Sequence, residues 1–222
     1  AYWAGDQNPT FDADDGLLSS ITGILSGGLC GMAVNHTDIG GFTTIVTPVF
    51  RMVRKKEVFL RWLEYAAFTP VYRTHDGAYS NKDNYQFYYD EDGYAAFARL
   101  GRLHSALKWY FLQLQQEACE KGLPMMRPLW LHDPDSAESR AVHTQYLLGA
   151  DLLVSPAAKL HTAHVSAWLP AGEWISPWDG THYTGRRRVR LPAPLGRPPV
   201  LVRAGVPDTQ RLLDTLRGAL EP

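Results

Sequence analysis

The sequence predicts an α/β protein in two parts, a set of parallel βα units followed by an all-β unit. Three observations carry this. Glycine-flanked apolar runs alternate with helix-spaced apolar residues through the first half of the chain, the pattern of βα units feeding a parallel sheet. From about residue 123 the character changes, and Pro124, Pro128, Pro134, Pro156 and Pro170 punctuate short β-type runs. With 222 residues, 45% hydrophobic and 20% charged, the chain can bury a sizeable core in one domain or two.

Taken in order, a strand is expected before Asp6, then a polar loop, then a helix through Leu17, Leu18, Ile21, Ile24 and Leu25 that Gly27-Gly28 ends. Gly31 to Val34 is short enough for a buried strand and opens into His36-Thr37-Asp38-Ile39-Gly40-Gly41. A second helix is expected from Lys55 to Phe68, stopped by Pro70, whose ring disfavours helical backbone just before it. Val71-Tyr72-Arg73 reads as a third strand, with Thr74-His75-Asp76-Gly77 as its exit loop. Residues 79–89 read as a surface loop, and the acidic Asp90-Glu91-Asp92 starts a helix over 91–121 that Lys121-Gly122 closes. In the second part strands are expected at Leu152 to Val154, Ala163 to Leu169, Val189 to Leu191 and Val200 to Val202, and a helical tail at Asp208 to Leu220.

Charge excludes several function classes. Lys and Arg number 22 against 23 for Asp and Glu, so the chain carries no electrostatic footprint for nucleic acid or an anionic membrane. The basic run Arg186 to Arg188 with Arg190 alternates with Val189 and Leu191, as a solvated strand edge does. No apolar run approaches the roughly 20 residues of a membrane helix. Cys30 and Cys119 are read as buried, unpaired thiols, which places the protein in the cytoplasm. The chain begins at Ala1 without a charged and apolar leader, and its abrupt start suggests a piece whose upstream part is missing.

Functional side chains of parallel sheets collect at the carboxyl ends of the strands, where every βα loop opens. Here those ends hold Asp6, Asp38 and His75. One such Asp is more often a helix cap or turn residue, but three polar side chains in register in consecutive units point to a site. Adjacent strands lie about 4.8 Å apart, so Asp6 and Asp38 would suit glycosidic acid/base chemistry, where retaining carboxyl pairs sit about 5 to 5.5 Å apart. Seven Trp and eleven Tyr supply flat apolar faces of the kind sugars stack on. Asp12 to Gly16 fails as a calcium loop because its glycine comes one position early and no glutamate stands at the twelfth place. His161 and His164 lack the two further ligands of a zinc site, and no glycine loop matches a dinucleotide or Walker pattern, so no cofactor is expected.

At Trp3-Ala4-Gly5-Asp6-Gln7, His36-Thr37-Asp38-Ile39-Gly40-Gly41-Phe42, Arg61-Trp62 and Arg73-Thr74-His75 the chain resembles glycoside hydrolase family 31. Similar matches continue through Gly122-Leu123-Pro124, Arg127-Pro128-Leu129, Gln145 to Pro156, Leu169 to Trp174 and Pro199 to Gly205. The resemblance implies a retaining α-glycosidase. Residues 1–122 would be the last three units of a (β/α)₈ barrel, 123–205 a β-sandwich, and 206–222 a helical tail. It implies Asp6 as general acid/base, Asp38 and His75 bonded to the sugar in the minus-one subsite, Trp3, Phe42 and Arg73 as further substrate contacts, and the nucleophilic aspartate upstream of this sequence. The partner implied is a small α-glycoside. On this point the resemblance and the spacing differ, since spacing alone pairs Asp6 with Asp38. Gln7 is similar to the sulfoquinovosidase branch, because α-glucosidases more often carry Asn there. Phe42 departs from that branch, which has Tyr at this position, and the arginine and tryptophan that read the sulfonate would lie upstream. An α-glucosidase is the alternative within the same chemistry, and a catalytically inactive carbohydrate-binding fragment is the alternative of another class.

Overall fold

A computed structural model describes residues 1–78 and 83–220, so part of the expected loop at 79–89 lies outside the described residues. The first strand, β1 (Tyr2–Trp3), pairs in parallel with β2 (Asn35–His36), Tyr2 opposite Asn35 and Trp3 opposite His36. The helix between them, α1 (Leu17–Leu29), buries Leu17, Ile21, Ile24 and Leu25 on one face. It runs through Gly27 and Gly28 where the sequence suggested a stop. Gly28 is there for close approach: a methyl on it would come within 2.9 Å of Pro124 Cβ. The longer helix displaces the next strand to residues 35–36, after a turn at Gly31 with φ +88°.

A short ribbon, β3 (Ile45–Val46) with β4 (Arg51–Met52), leads into α2 (Lys56–Ala66), whose residues Val58 to Ala66 are all buried. The expected strand at Val71 to Arg73 is reduced to a parallel bridge between Ile39 and Thr74. The Ile39 N–H donates to the Arg73 carbonyl (3.0 Å), while the Thr69 hydroxyl holds the Ala66 and Val71 carbonyls and bends the chain away after Pro70. The long helix expected over 91–121 is two, α3 (Glu91–Ala106) and α4 (Lys108–Lys121). Leu107 sits between them fully buried with ψ near 0°, so the break lets a core leucine point inward. Asp90 caps α3 by accepting the Gly93 N–H (2.8 Å), and Gly122 with φ +70° ends α4.

Beyond Gly122 come β5 (Met126–Pro128), a short helix α5 (Ala137–Ala141), β6 (Tyr146–Leu148), β7 (Leu152–Val154), β8 (His164–Leu169), β9 (Glu173–Ile175), β10 (His182–Thr184), β11 (Arg187–Pro192), β12 (Val200–Arg203) and α6 (Thr209–Leu220). Six of these strands form one antiparallel sheet in the order β10-β9-β12-β7-β6-β5, and β8 pairs with β11 in a separate ribbon. Period-two alternation assigns the two faces. Leu147, Leu153 and Leu201 pack with Ala167, Trp168, Leu169 and Leu191 of the ribbon. Their neighbours Leu148, Leu152, Val154, Val200 and Val202 share a core with α1 to α4 and α6. Arg187 and Arg188 lie exposed on β11.

The two parts are bolted together by a buried ion pair. Arg61 Nη1 meets Glu64 Oε2 at 2.9 Å with both side chains about fully buried, and Arg61 Nη2 donates to the Thr162 (2.7 Å) and Ala193 (3.0 Å) carbonyls. Glu64 in turn accepts the Gly196 N–H. Burial pushes the Glu64 carboxyl above its usual range, with Arg61 pulling back. Arg61→Met strands that carboxylate, so the whole protein should lose about 3 to 5 kcal/mol of unfolding free energy in denaturant titration. A loss below about 1 kcal/mol, the scale of an exposed pair, would show that the bolt carries little.

The cysteines correct the sequence reading: Cys30 at the end of α1 and Cys119 on α4 are both free, and both exposed, where the sequence suggested burial. Each falls just outside the apolar stripe of its helix, so hydrophobic character alone misplaced it. Among the described residues no helix is long and apolar enough to cross a membrane.

Candidate functional site

The site starts from two parallel strand ends. The Ala4 N–H extends the β1 ladder to the His36 carbonyl (2.9 Å), and Gly5, with φ +94°, turns the chain so that Asp6 stands exposed beyond the sheet. After β2, Thr37 is fixed by the indole of Trp62, which donates to its hydroxyl (3.0 Å), and Asp38 follows at 1% exposure. Arg73 Nη1 lies 3.2 Å from Asp38 Oδ1, yet among the described residues neither Asp38 oxygen receives a hydrogen bond. A buried carboxylate paired with one cation leaves lone pairs that can still accept hydrogen bonds.

Gly40 and Gly41 follow with φ +85° and +80°, a left-handed pair that bends the chain back over the first loop. Side chains do not fit there: a methyl at 40 would lie 2.3 Å from Arg54 Cδ, and one at 41 would lie 2.9 Å from the Gln7 and Asn8 backbone. The turn is tied to the Asp6 loop by Phe42 and Thr43, whose N–H groups both donate to the Gln7 carbonyl (2.8 and 3.1 Å). The Thr43 hydroxyl reaches the Asp6 carbonyl at 3.3 Å.

The third loop completes the group. The Ala78 N–H donates to the Phe42 carbonyl (2.8 Å), and the Phe42 ring stands 4.8 Å from the His75 ring and 6.3 Å from Trp3. His75 Nδ1 accepts the Gly77 N–H (3.1 Å), so the neutral ring carries its proton on Nε2 as a donor. The structure thus gathers Trp3, Asp6, Asp38, Phe42, Arg73 and His75 at three consecutive strand ends and the loops that follow them.

Three groups of this neighbourhood were not singled out as site residues from the sequence. His36 is buried with Nδ1 unpartnered among the described residues, and burial, with Arg73 adding to it, lowers its pKa so that it is held neutral. Gln7 donates to the Ala4 carbonyl (2.8 Å) and leaves its Oε1 open. Arg54 is 2% exposed, and burial draws its guanidinium down to about 10, opposed by Asp76 and Asp38, so it stays charged at neutral pH. Among the described residues no three His, Cys, Asp or Glu gather as a metal site would need. A groove of about 620 Å³ between α2, α3 and the Leu195-Gly196 turn contains none of the strand-end residues.

The chain matches the family model for the glycosyl hydrolases family 31 TIM-barrel domain over residues 1–112 and that for the glycosyl hydrolase family 31 C-terminal domain over residues 122–206. It is 44% identical over 216 residues to the sulfoquinovosidase of Agrobacterium fabrum, an alignment covering 97% of this chain and 32% of that protein. It is 32% identical over 226 residues to the α-glucosidase of Hordeum vulgare, covering 98% of this chain and 24% of that one. The solved structure of a family 31 sulfoquinovosidase from E. rectale, in complex with an aza-sugar inhibitor, superimposes with TM-score 0.91 at 36% identity, covering 97% of this chain and 31% of that chain. The chain therefore spans a quarter to a third of the length of these relatives. Both family models fall in order along it, the TIM-barrel model on the parallel strand ends and the C-terminal model on the antiparallel sheet, and the chain belongs to glycosyl hydrolase family 31.

Proposed function

We propose that this chain supplies the acid/base half of a retaining α-glycosidase acting on α-sulfoquinovosides. The observation that carries the reading is the juxtaposition of an exposed Asp6 with a buried, acceptor-only Asp38 on adjacent parallel strands, under the Trp3–Phe42–His75 wall. In this reading Asp6 gives its proton to the departing glycosidic oxygen and later takes one from water. Its exposure suits that task, since the leaving group must reach solvent. Asp38, with Arg73 as its counter-charge, accepts sugar hydroxyls on its open oxygens, and His75 donates from Nε2. Trp3 and Phe42 give the ring an apolar face. The nucleophilic aspartate would come from outside this sequence, so the 222 residues alone should hydrolyse no α-glycoside. Residues 123–205 would form the β-sandwich domain. The two free thiols favour a reducing compartment, the cytoplasm.

Identity supports the sulfonated sugar, at 44% to a sulfoquinovosidase against 32% to an α-glucosidase. Phe42 favours the second reading, an α-glucosidase, because a phenyl ring has no hydroxyl to give a sulfonate oxygen. The test compares nitrophenyl α-sulfoquinovoside with nitrophenyl α-glucoside on the whole protein. At least tenfold higher kcat/KM for the sulfonated substrate, about 1.4 kcal/mol, is expected. The opposite preference moves the protein to the glucosidase reading and leaves the role of Asp6 standing, and no turnover of either substrate favours an inactive carbohydrate-binding protein.

A further inference from the structure

We propose that Arg54 is a positioning residue whose guanidinium clamps the Asp38 to Phe42 turn in its sugar-binding shape, a role that rests on the α-glycosidase reading above. Arg54 lies outside that turn in sequence and is too buried, at 2% exposure, to meet substrate. Its Nη1 donates to the Ile39 (3.3 Å) and Gly41 (3.1 Å) carbonyls, and its Nε donates to the Tyr85 carbonyl (2.9 Å). Two carbonyls of the turn are thereby drawn to one planar cation. The Arg54 N–H is held by Asn84 Oδ1 (3.0 Å), and the Asn84 amide donates to the Thr44 hydroxyl (2.6 Å), so both ends of the turn are tied to the same pair.

The clamp explains the glycines. The aliphatic stem of Arg54 passes directly under Gly40, where any Cβ would collide with Cδ, and the guanidinium lies 5.3 Å from the Phe59 ring centre. Two consecutive left-handed residues give a turn many shapes in solution, because glycine restricts φ least. Something must choose one, and Arg54 donates to the Gly41 carbonyl while the Gln7 carbonyl accepts the Phe42 and Thr43 N–H groups. A lysine would not do the same work: one ammonium on a flexible stem cannot present fixed donors to carbonyls on two sides as a guanidinium fork does. The fork keeps a further nitrogen, Nη2, without a partner among the described residues, and its charge acts on both Asp38 and Asp76. Removing it should therefore disturb Asp38, the carboxylate proposed to accept sugar hydroxyls, without touching the sugar itself.

The experiment compares the whole protein with its Arg54→Lys and Arg54→Met variants in two ways. Hydrogen exchange of peptides covering residues 38–44 is expected to quicken about tenfold or more in both variants, while peptides from β6 and β7 keep their wild-type rates, as local release of one segment requires. On a nitrophenyl α-glycoside, kcat/KM should fall about hundredfold in Arg54→Met, the scale of a misplacement near 1 Å, and Arg54→Lys should recover little of it. Affinity of the folded fraction for an aza-sugar inhibitor should fall in step. Unchanged exchange at 38–44 overturns the proposal. So does exchange that quickens equally in the sheet with inhibitor affinity intact, which is the mark of a purely structural arginine. A wild-type protein that cleaves no α-glycoside overturns the functional reading instead, and the exchange measurements still decide whether Arg54 holds the turn.

Discussion

Asp6→Asn in the whole protein is expected to lower kcat/KM by about 10²- to 10⁴-fold for glycosides with poor leaving groups, the usual worth of general acid/base help. The substitution keeps the shape of an exposed side chain that follows a glycine turn, so the fold should not respond. Its effect should depend on the substrate. A nitrophenolate departs with little protonation, so formation of the glycosyl-enzyme should suffer least with activated substrates. Its breakdown should then become limiting, because water no longer has a base. Azide needs none, and added azide should restore turnover with retention of configuration. An equal loss on activated and unactivated leaving groups, with no azide effect, would remove Asp6 from this role and return attention to a direct pairing of Asp6 with Asp38.

Asp38→Ala should cost about as much by a different route. Hydrogen bonds to a charged group contribute roughly 1.5 to 3 kcal/mol each, and Asp38 offers two open oxygens. Losing both should lower kcat/KM more than about hundredfold, at 1.36 kcal/mol per factor of ten. The loss should be the same for good and poor leaving groups, which separates a sugar-holding residue from the proton donor. Asp38→Asn, which keeps one acceptor and adds a donor, should recover part of it. If Asp38 serves only to neutralise Arg73, both variants should bind an aza-sugar inhibitor as tightly as wild type once the folded fraction is counted.

The candidate site residues could be picked out because parallel strands announce their ends. Asp6, Asp38 and His75 each follow an apolar run and precede a loop, and the structure brings these three loops together. Arg54 was not legible. Its partners are main-chain carbonyls of residues 39, 41 and 85, which leave no mark on side-chain pattern, and it sits beside Arg51, Lys55 and Lys56 with nothing in the sequence to set it apart. Of the fold, the helices with strong apolar periodicity were foreseen to within a few residues, as α2 and α6 show. Errors arose where a residue answers to a distant neighbour. Gly28 looked like a helix stop because its contact, Pro124, is far along the chain, and Leu107 looked like mid-helix because the core it fills is tertiary. The third strand shrank to a bridge because apolar character promises burial, while ladder length depends on what the partner strand offers.

The Arg61 bolt has a consequence for how these segments tolerate change. Among the described residues, each hydrogen bond Arg61 makes across the junction is to a backbone oxygen, at Thr162 and Ala193, and Glu64 takes a backbone N–H at Gly196. Main-chain partners are indifferent to the identity of the residue that carries them. The junction therefore depends first on the path and length of the loops at 160–163 and 193–196, and side-chain identity matters there where the backbone or packing demands it, as at the buried Ala193 and at Gly196 with φ +88°. Chimaeras that exchange the segment after Gly122 between relatives should assemble when these two loops are of equal length and keep a small residue at 193 and glycine at 196, and a single-residue insertion in either should do more harm than substitution of their exposed side chains.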